Sequence, residues 1–170
     1  FQELARDYAI DYLVEDKPLG TAGALQYLNG KLGNSFILTN CDNIICTDYA
    51  ELVDHHRDSA NDITMVACTK TYRIPYGVCE IENGGTLADM VEKPEYRFLV
   101  NTGMYVIQSE VLDLIPPEMV FHITHLIEAV RERGGRVGVY PIGEQSWLDV
   151  GEWAEYKNTL KKLEGLVADL

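Results

Sequence analysis

The distribution of apolar residues along the chain separates short β-type runs from stretches with helical periodicity. Runs rich in Val, Ile, Tyr and Phe, bounded by Gly, Pro, Asn or Asp, are typical of strands. Such runs predict strands at residues 10–14, 35–40, 62–70, 77–82, 86–93, 98–108 and 136–142. The fourth and fifth of these runs flank the sequence Asn-Gly-Gly, which predicts a hairpin whose glycines take positive φ angles.

Two helices are predicted in the first third of the chain from their start signals. Residues 21–28 begin with Thr21, whose hydroxyl is expected to accept a backbone hydrogen bond as an N-cap. Residues 48–58 begin with Asp48, and Glu51 follows three positions later, which resembles a capping box.

Two further stretches carry an apolar stripe of helical period. One starts at Ile123, with apolar residues at i, i+3, i+4 and i+7, and ends at the glycine pair 134–135. The other has an apolar face formed by Trp153, Tyr156, Leu160 and Leu163. Because strands alternate with helices, we predict an α/β fold with a mixed, mostly parallel sheet covered on both faces. Ligands of such sheets bind beyond the carboxyl ends of the strands.

The charge of the chain limits the partners that it is expected to have. The 170 residues carry a formal net charge of −13. A protein this acidic repels phosphate backbones, so we expect no nucleic-acid partner and no binding to an anionic membrane. A site that handles phosphates in this field needs local basic groups or a metal ion.

Cysteine usage points to a reducing compartment. The four cysteines, Cys41, Cys46, Cys68 and Cys79, form no CxxC pair and fit no zinc site. A domain of this size needs no disulfides. We therefore expect reduced, buried thiols in a cytoplasmic protein, and no apolar run approaches the length of a membrane span.

Several short stretches contain residue types suited to ligand binding. They are LGTAG at 19–23, NCD at 40–42, YGV at 76–78 with EKP at 92–94, NTGMY at 101–105 and WLDVG at 147–151. Each alone has a structural explanation, because glycines permit tight turns and aspartates cap loops or helices. Their order along the chain is more informative than any one of them.

In this order the motifs resemble the sugar-1-phosphate nucleotidyltransferases, which join a nucleoside triphosphate to a sugar 1-phosphate and release pyrophosphate. The resemblance extends from about Ile10 to Tyr156, and PYGVCEIENGG, MVEKP and VNTGMYVI are its most specific parts. It implies a GT-A-like, Rossmann-related three-layer fold, with residues 1–170 forming part of one nucleotidyltransferase domain. PLGTAGAL and TNCD look most like members that form GDP-sugars, including those that serve bacterial surface glycans. Uridylyl or thymidylyl transfer stays open.

The resemblance implies that Asp42 and Asp149 bind Mg²⁺ and act in catalysis. A sugar-phosphate oxygen must attack the α-phosphate in line, so charge neutralisation and positioning dominate the chemistry. Magnesium takes one or two carboxylates together with phosphate oxygens and waters. Both aspartates end strand-like runs, so we expect them to converge at one edge of the sheet.

The other site residues implied by the resemblance contact the substrates. Lys93 offsets the charge of the sugar phosphate and completes the catalytic set. Glu92 accepts hydrogen bonds from sugar hydroxyls, and Gly77 lets its backbone N–H approach the sugar. Thr102 lines the sugar pocket, and Gly20 lets the chain pass close to the nucleobase.

The chain departs from the family pattern at two places. Many members have Gly before the metal-binding aspartate, where this chain has Cys41, and we expect that thiol to be a small buried hydrophobe. Members also open with a strand and a glycine-rich loop that cradle the triphosphate, and this chain begins after that segment. We therefore expect little or no transferase activity from these 170 residues alone. We also expect an exposed sheet edge or core surface that leads to self-association or to a remodelled sheet.

Two functions of other kinds stay open from the sequence. A GT-A glycosyltransferase that uses a finished nucleotide sugar normally has a DxD motif, whereas residues 42–44 read Asp-Asn-Ile. A regulatory homologue that binds a nucleotide sugar without turnover is the other alternative. The presence of both Asp42 and Asp149 argues against this second alternative.

Overall fold

A computed structural model of the chain describes residues 8–151. The strands are β1 (Ser35–Thr39), β2 (Asn43–Ile45), β3 (Ile63–Arg73), β4 (Val78–Ile81), β5 (Leu87–Val91), β6 (Glu95–Gln108), β7 (Val137–Ile142) and β8 (Trp147–Asp149). The α-helices are α1 (Tyr49–Asp58) and α2 (Ile123–Glu132), and 3₁₀ turns occupy Gly23–Leu28, Ser109–Leu114 and Glu144–Ser146. The helix predicted from the apolar face at residues 153–163 lies outside the described residues.

A four-stranded sheet with the order β1-β6-β3-β7 forms the centre of the fold. Strand β7 runs parallel to β3, whereas β6 runs antiparallel to both β1 and β3. Three of the four strands therefore share one direction, and the predicted mixed sheet is confirmed. The adjacent hydrogen-bonded pairs are largely antiparallel because β6 is inserted between β1 and β3.

Helical elements cover both faces of this sheet. On one face, α2 and the 3₁₀ turns at Gly23–Leu28 and Ser109–Leu114 pack on a core that includes Ile63, Ile107 and Leu126. On the other face, Leu52 of α1 packs against Val66 and other buried residues. Alternate residues of β6 point into the two cores, as expected for a strand buried on both sides. This arrangement is the predicted three-layer architecture.

The segment predicted as a helix at 21–28 is a shorter 3₁₀ turn, Gly23–Leu28, so that prediction was only partly right. Thr21 does not cap this turn, which has no side-chain cap hydrogen bond. Its hydroxyl instead accepts a hydrogen bond of 3.0 Å from the backbone N–H of Ile123. Thr21 does cap a helix, but the backbone N–H that it satisfies lies in the first turn of α2, about 100 residues away in sequence.

Two other predictions were wrong. Residues 10–14 form no strand, and Val14 is 85% exposed, so it gains little from packing against the described residues. The cysteines are all free thiols, as expected, but only Cys68 is buried and Cys41 is exposed. Cys41 is exposed because it lies in the turn after β1 rather than in a strand.

A two-stranded ribbon extends from the central sheet. The ends of β3 and β6 pair from Lys70 opposite Phe98 to Arg73 opposite Glu95, and they lead into the antiparallel hairpin of β4 and β5. The predicted hairpin is thereby confirmed, with positive φ at its two turn glycines. Large apolar side chains on this ribbon and hairpin are exposed: Tyr72, Tyr76, Ile81, Leu87, Met90, Val91, Tyr96, Phe98 and Leu99. No helix among the described residues is long and apolar enough to cross a membrane.

Helix α1 is capped at its start by a side chain and ends near a buried polar network. Asp48 caps its start by accepting hydrogen bonds from the N–H groups of Ala50 and Glu51, as predicted. Near its other end, His56 is 1% exposed and its Nδ1 lies 2.9 Å from the hydroxyl of Thr64. The Nε2 atom of His56 has no hydrogen-bond partner among residues 8–151, so a second proton on the ring would find no acceptor in this part of the chain.

Acidification is expected to destabilise the fold through His56. Burial lowers the pKa of His56, with Asp62 opposing the shift and His55 adding to it. In the unfolded chain His56 takes up a proton near pH 6.5, whereas in the folded chain its protonation requires a lower pH. The free energy of unfolding therefore falls as the pH drops through about 6.5. Urea unfolding at pH 7.5 and 5.5 measures this change, and a His56→Gln variant should show a smaller pH dependence. An equal dependence in both proteins would refute this role.

Candidate active site

A polar cleft of about 310 Å³ opens at the carboxyl end of β1. It lies where β1, the middle of β6 and the β2–β8 pair meet. Its lining residues are Thr21, Asn40, Asp42, Asn43, Asn101, Thr102, Gly103, Tyr105, Ile123, Trp147 and Asp149. The cleft therefore collects parts of four of the motifs that the sequence singles out.

A bulge in β6 shapes the wall of the cleft. The pairing of β3 with β6 jumps from Val66 opposite Met104 to Ala67 opposite Asn101, which leaves Thr102 and Gly103 unpaired. The hydroxyl of Thr102 donates a hydrogen bond of 2.8 Å to the carbonyl of Val66. This hydrogen bond stabilises the bulge. Bulges of this kind redirect backbone and side chains towards a site.

Gly103 allows two asparagine side chains to approach the bulge. Its φ is +82°, and a Cβ there would lie 2.6 Å from Nδ2 of Asn40 and 2.8 Å from Nδ2 of Asn43. A side chain larger than hydrogen would therefore displace both amides. The backbone N–H of Asn40 donates to the carbonyl of Gly103 at 3.2 Å, which ties the end of β1 to the same bulge.

The structure brings Asp42 and Asp149 together, although through a separate two-stranded sheet rather than through the central one. Strand β2 pairs with β8, and Asn43 lies opposite Asp149 in the register. The backbone N–H of Val150 donates to the carbonyl of Asp42 at 3.0 Å. A Cβ at Gly151 would lie 2.5 Å from Oδ2 of Asp42 and 3.3 Å from Oδ1 of Asp149. The two carboxylates thus border the same small space.

The lining of the cleft is acidic. Asp42 and Asp149 are its charged members, and none of its described lining residues is Lys or Arg. Tyr105 lies 2% exposed in the wall and receives a hydrogen bond from Nδ2 of Asn101. Burial raises the pKa of Tyr105 and that hydrogen bond partly opposes the rise, so the phenol is a neutral wall residue at physiological pH.

The carboxylate pair suits a hard divalent cation. Oxygen ligands of this kind match Mg²⁺, which keeps several of its positions for waters and substrate phosphates. No group of three His, Cys, Asp or Glu side chains within residues 8–151 is placed to hold a metal. The chemistry of the donor set therefore fits a magnesium ion held by two protein carboxylates and completed by substrate, rather than a closed structural site.

Gly20 lies beside the cleft but makes its close contact with protein. A Cβ at Gly20 would lie 2.7 Å from the carbonyl of Phe121 and 3.1 Å from the ring of His122. The next residue, Thr21, lines the cleft. The LGTAG stretch is therefore packed against the start of α2, and it presents Thr21 rather than Gly20 to the cleft.

The remaining predicted residues lie outside the cleft lining, in and beside the β4–β5 hairpin. Gly77 and Glu92 adjoin each other, because a Cβ at Gly77 would lie 3.0 Å from Oε2 of Glu92. Lys93 is exposed and lies 4.0 Å from the Glu92 carboxylate. Its backbone φ of 48° is unusual for a non-glycine residue, and such strain is often found at functional sites.

Sequence reasoning named Asp42, Thr102 and Asp149 among the lining residues and missed the other eight: Thr21, Asn40, Asn43, Asn101, Gly103, Tyr105, Ile123 and Trp147. Six of these eight stand inside the motifs LGTAG, NCD, NTGMY and WLDVG, and Asn43 directly follows Asp42. The available signal was the presence of three asparagines in or beside these motifs. Amides carry no charge, so the pattern of charged residues did not single them out.

Comparison with known proteins assigns the chain to a family. A family model described as Nucleotidyl transferase matches residues 2–165. Mannose-1-phosphate guanylyltransferase of Mycobacterium tuberculosis is 27% identical over 146 residues, or 84% of this chain and 41% of that protein. Probable mannose-1-phosphate guanylyltransferase 3 of Oryza sativa subsp. japonica is 34% identical over 154 residues, or 86% of this chain and 42% of that protein. The chain thus spans less than half the length of these relatives.

A solved structure supports the fold. The crystal structure of HddC from Yersinia pseudotuberculosis aligns with a TM-score of 0.69 and 19% identity, covering 95% of this chain and 70% of that one. At this identity the likeness concerns the fold, and it agrees with the mixed sheet between helical layers described above.

A glycine substitution tests the close packing at the bulge. Gly103→Ala is expected to destabilise the protein more than Gly134→Ala, because both glycines have φ near +80° but only Gly103 has neighbours within 4 Å. In both variants the left-handed alanine lowers the free energy of unfolding by about 1–2 kcal/mol. At Gly103, displacement of the asparagines lowers it further, by roughly 1–3 kcal/mol. Urea unfolding of the two variants measures the difference. Equal losses would show that the bulge has room for a side chain.

Proposed function

The chain belongs to the nucleotidyl transferase family, and from this premise we propose that the protein transfers a nucleotidyl group from a nucleoside triphosphate to a sugar 1-phosphate, with release of pyrophosphate. The observation that carries the proposal is the pair of carboxylates, Asp42 and Asp149, at one cleft. That cleft has no described basic lining residue. A triphosphate can approach such a pair only with a cation between them, which is the arrangement that phosphoryl-group transfer uses.

We propose Mg²⁺ as this cation, with Asp42 and Asp149 as its protein ligands. When bound, it would neutralise the phosphate oxygens and hold the α-phosphate for in-line attack. The contribution of the protein is to hold both carboxylates on one side of the cleft, with Gly151 leaving the space between them open. The oxygens are then oriented before substrate arrives, which limits reorganisation during reaction.

We propose that the sugar 1-phosphate binds towards the β4–β5 hairpin. Glu92 is exposed there, with Lys93 4.0 Å from its carboxylate, and its oxygens can accept hydrogen bonds from sugar hydroxyls. Gly77 leaves the space beside that carboxylate open, and Lys93 supplies a positive charge for the phosphate of the sugar. Because the hairpin does not line the cleft among residues 8–151, this assignment requires the ribbon to approach the cleft when substrate binds.

Thr102 and Gly20 are given more limited roles in this proposal. The hydroxyl of Thr102 is engaged with Val66, so Thr102 contributes to the sugar pocket through its shape and backbone rather than as a free hydroxyl. Gly20 keeps the LGTAG segment against α2, next to the position proposed for the nucleobase. Its absence of a side chain matters there for close packing as well as for ligand approach.

We propose a guanylyl group as the one transferred, so that the product is a GDP-sugar. Two of the relatives that the chain matches are mannose-1-phosphate guanylyltransferases, and the motifs PLGTAGAL and TNCD agree with this choice. We further propose that residues 1–170 belong to one nucleotidyltransferase domain. The four free cysteines suit a cytoplasmic enzyme, for which supply of nucleotide sugar to a bacterial surface glycan is the proposed use.

An activity panel tests this function. The longest natural polypeptide that contains this chain is assayed for pyrophosphate release with Mg²⁺, the four common nucleoside triphosphates and a set of hexose and heptose 1-phosphates. We expect release with GTP and one sugar 1-phosphate. Asp42→Asn should lower kcat/KM roughly 100-fold or more, the scale of losing one electrostatic contact to the transition state.

Asp48→Asn is the matched control for this panel. It makes the same change of charge six residues away, and asparagine caps a helix as well as aspartate does, so activity should be retained. Binding of a nucleotide sugar without any release would favour the regulatory alternative. Transfer of sugar from a nucleotide sugar to an acceptor would favour the glycosyltransferase.

A further inference from the structure

We propose that Asn43 is the positioning residue that sets the spacing of the two cleft carboxylates, although it does not itself bind the metal. The inference rests on the proposed function, because it concerns the affinity of the Asp42–Asp149 pair for a divalent cation. Its basis is a set of contacts through which one side-chain amide joins three separate segments around the cleft.

The amide of Asn43 uses both of its ends. Its Nδ2 donates a hydrogen bond to the carbonyl of Thr102 in the β6 bulge. Its Oδ1 accepts a hydrogen bond of 3.2 Å from the indole Nε1 of Trp147 at the start of β8. The side chain therefore links β2 to the central sheet on one side and to β8 on the other.

This link matters because the two strands that carry the aspartates are short. Strands β2 and β8 have three residues each and form a sheet of their own. A two-stranded sheet of that size has little stability by itself. Asp42 directly precedes Asn43, and Asp149 is the register partner of Asn43. A shift of the Asn43 side chain would thus move both carboxylates relative to the bulge.

The partner of Asn43 in β8 is itself anchored to the central sheet. The ammonium of Lys70 on β3 lies 5.2 Å from the centre of the Trp147 ring and 3.6 Å from the carboxylate of Glu144. Trp147 is therefore held over β3 while its N–H points to Asn43. The amide completes a path from β3 through Trp147 and Asn43 to Thr102 on β6.

The chemistry of this position requires an amide. The Thr102 carbonyl needs a donor and the Trp147 indole needs an acceptor, and a carboxamide supplies both in a fixed geometry. A carboxylate has no donor for the Thr102 carbonyl, and an alanine side chain can bond neither Thr102 nor Trp147. Groups that orient metal ligands in this way typically change metal affinity 10–100-fold when removed.

Direct metal binding provides the test. Mn²⁺ titrations followed by electron paramagnetic resonance are run on the longest natural polypeptide that contains this chain. We expect Asn43→Ala to weaken Mn²⁺ binding at least tenfold. Asn34→Ala is the matched control, because Asn34 is an exposed asparagine at the start of β1 and lies outside the cleft lining; its Mn²⁺ affinity should equal that of wild type. Unchanged affinity in a folded Asn43→Ala protein overturns the proposal.

A second variant covers the case in which Asn43→Ala does not fold. Trp147→Phe keeps an aromatic ring near Lys70 and removes the indole N–H, so it deletes one of the two contacts of Asn43. We expect a weaker effect in the same direction, about threefold, which is the scale of one neutral hydrogen bond. Wild-type affinity in Trp147→Phe would then count against the proposal.

The metal dependence of turnover separates positioning from general damage. In Asn43→Ala, the Mg²⁺ concentration at half-maximal rate should rise about tenfold while the rate at saturating Mg²⁺ recovers, because Asp42 and Asp149 are still present. A lower maximal rate with an unshifted midpoint would indicate a purely structural role for Asn43. If wild type binds Mn²⁺ but releases no pyrophosphate, the proposed function fails while the Mn²⁺ titrations still decide the role of Asn43.

Discussion

The bulge at Thr102 and Gly103 in the central strand β6 is the feature on which the rest of the cleft depends. Two residues leave the β3–β6 ladder there, and the Thr102 hydroxyl replaces the lost pairing by bonding the Val66 carbonyl. The displaced backbone turns a carbonyl towards Asn43, and the missing side chain of Gly103 leaves room for that amide. Without the bulge, β6 would continue as regular strand and the link from Asn43 to the Thr102 carbonyl would be lost.

The acidity of the chain and the geometry of the cleft lead to one electrostatic conclusion. Because the chain has a net charge of −13 and two carboxylates line the cleft, the cleft repels the phosphates that the proposed reaction requires. A divalent cation reverses this repulsion locally, and the affinity of the cation depends on how well the two carboxylates are held together. In the proposed reaction, turnover is therefore expected to depend on the packing of neutral groups, in particular the Asn43 amide and the Trp147 indole.

Periodicity and turn chemistry were enough to predict most strands, both long helices and the hairpin, because these depend on local patterns. The strand predicted at 10–14 failed because β propensity needs a surface to pack on. The role of Thr21 was misread because a hydroxyl caps whichever helix start it reaches, and Ile123 is distant in sequence. Asp42 and Asp149 were singled out by the family resemblance, and their positions at the ends of strand-like runs agreed with it. The role proposed for Asn43 depends on two hydrogen bonds to distant segments, so no sequence pattern could reveal it.

The most direct test of the account is to locate a bound metal. Crystals of the longest natural polypeptide that contains this chain, grown with Mn²⁺ and a non-hydrolysable GTP analogue, would give an anomalous difference map. We expect a peak with one oxygen of Asp42 and one of Asp149 each at about 2.1–2.2 Å, close to the distance expected for a hard divalent cation on carboxylates. A peak that contacts neither aspartate, with nucleotide bound elsewhere on the protein, would contradict it.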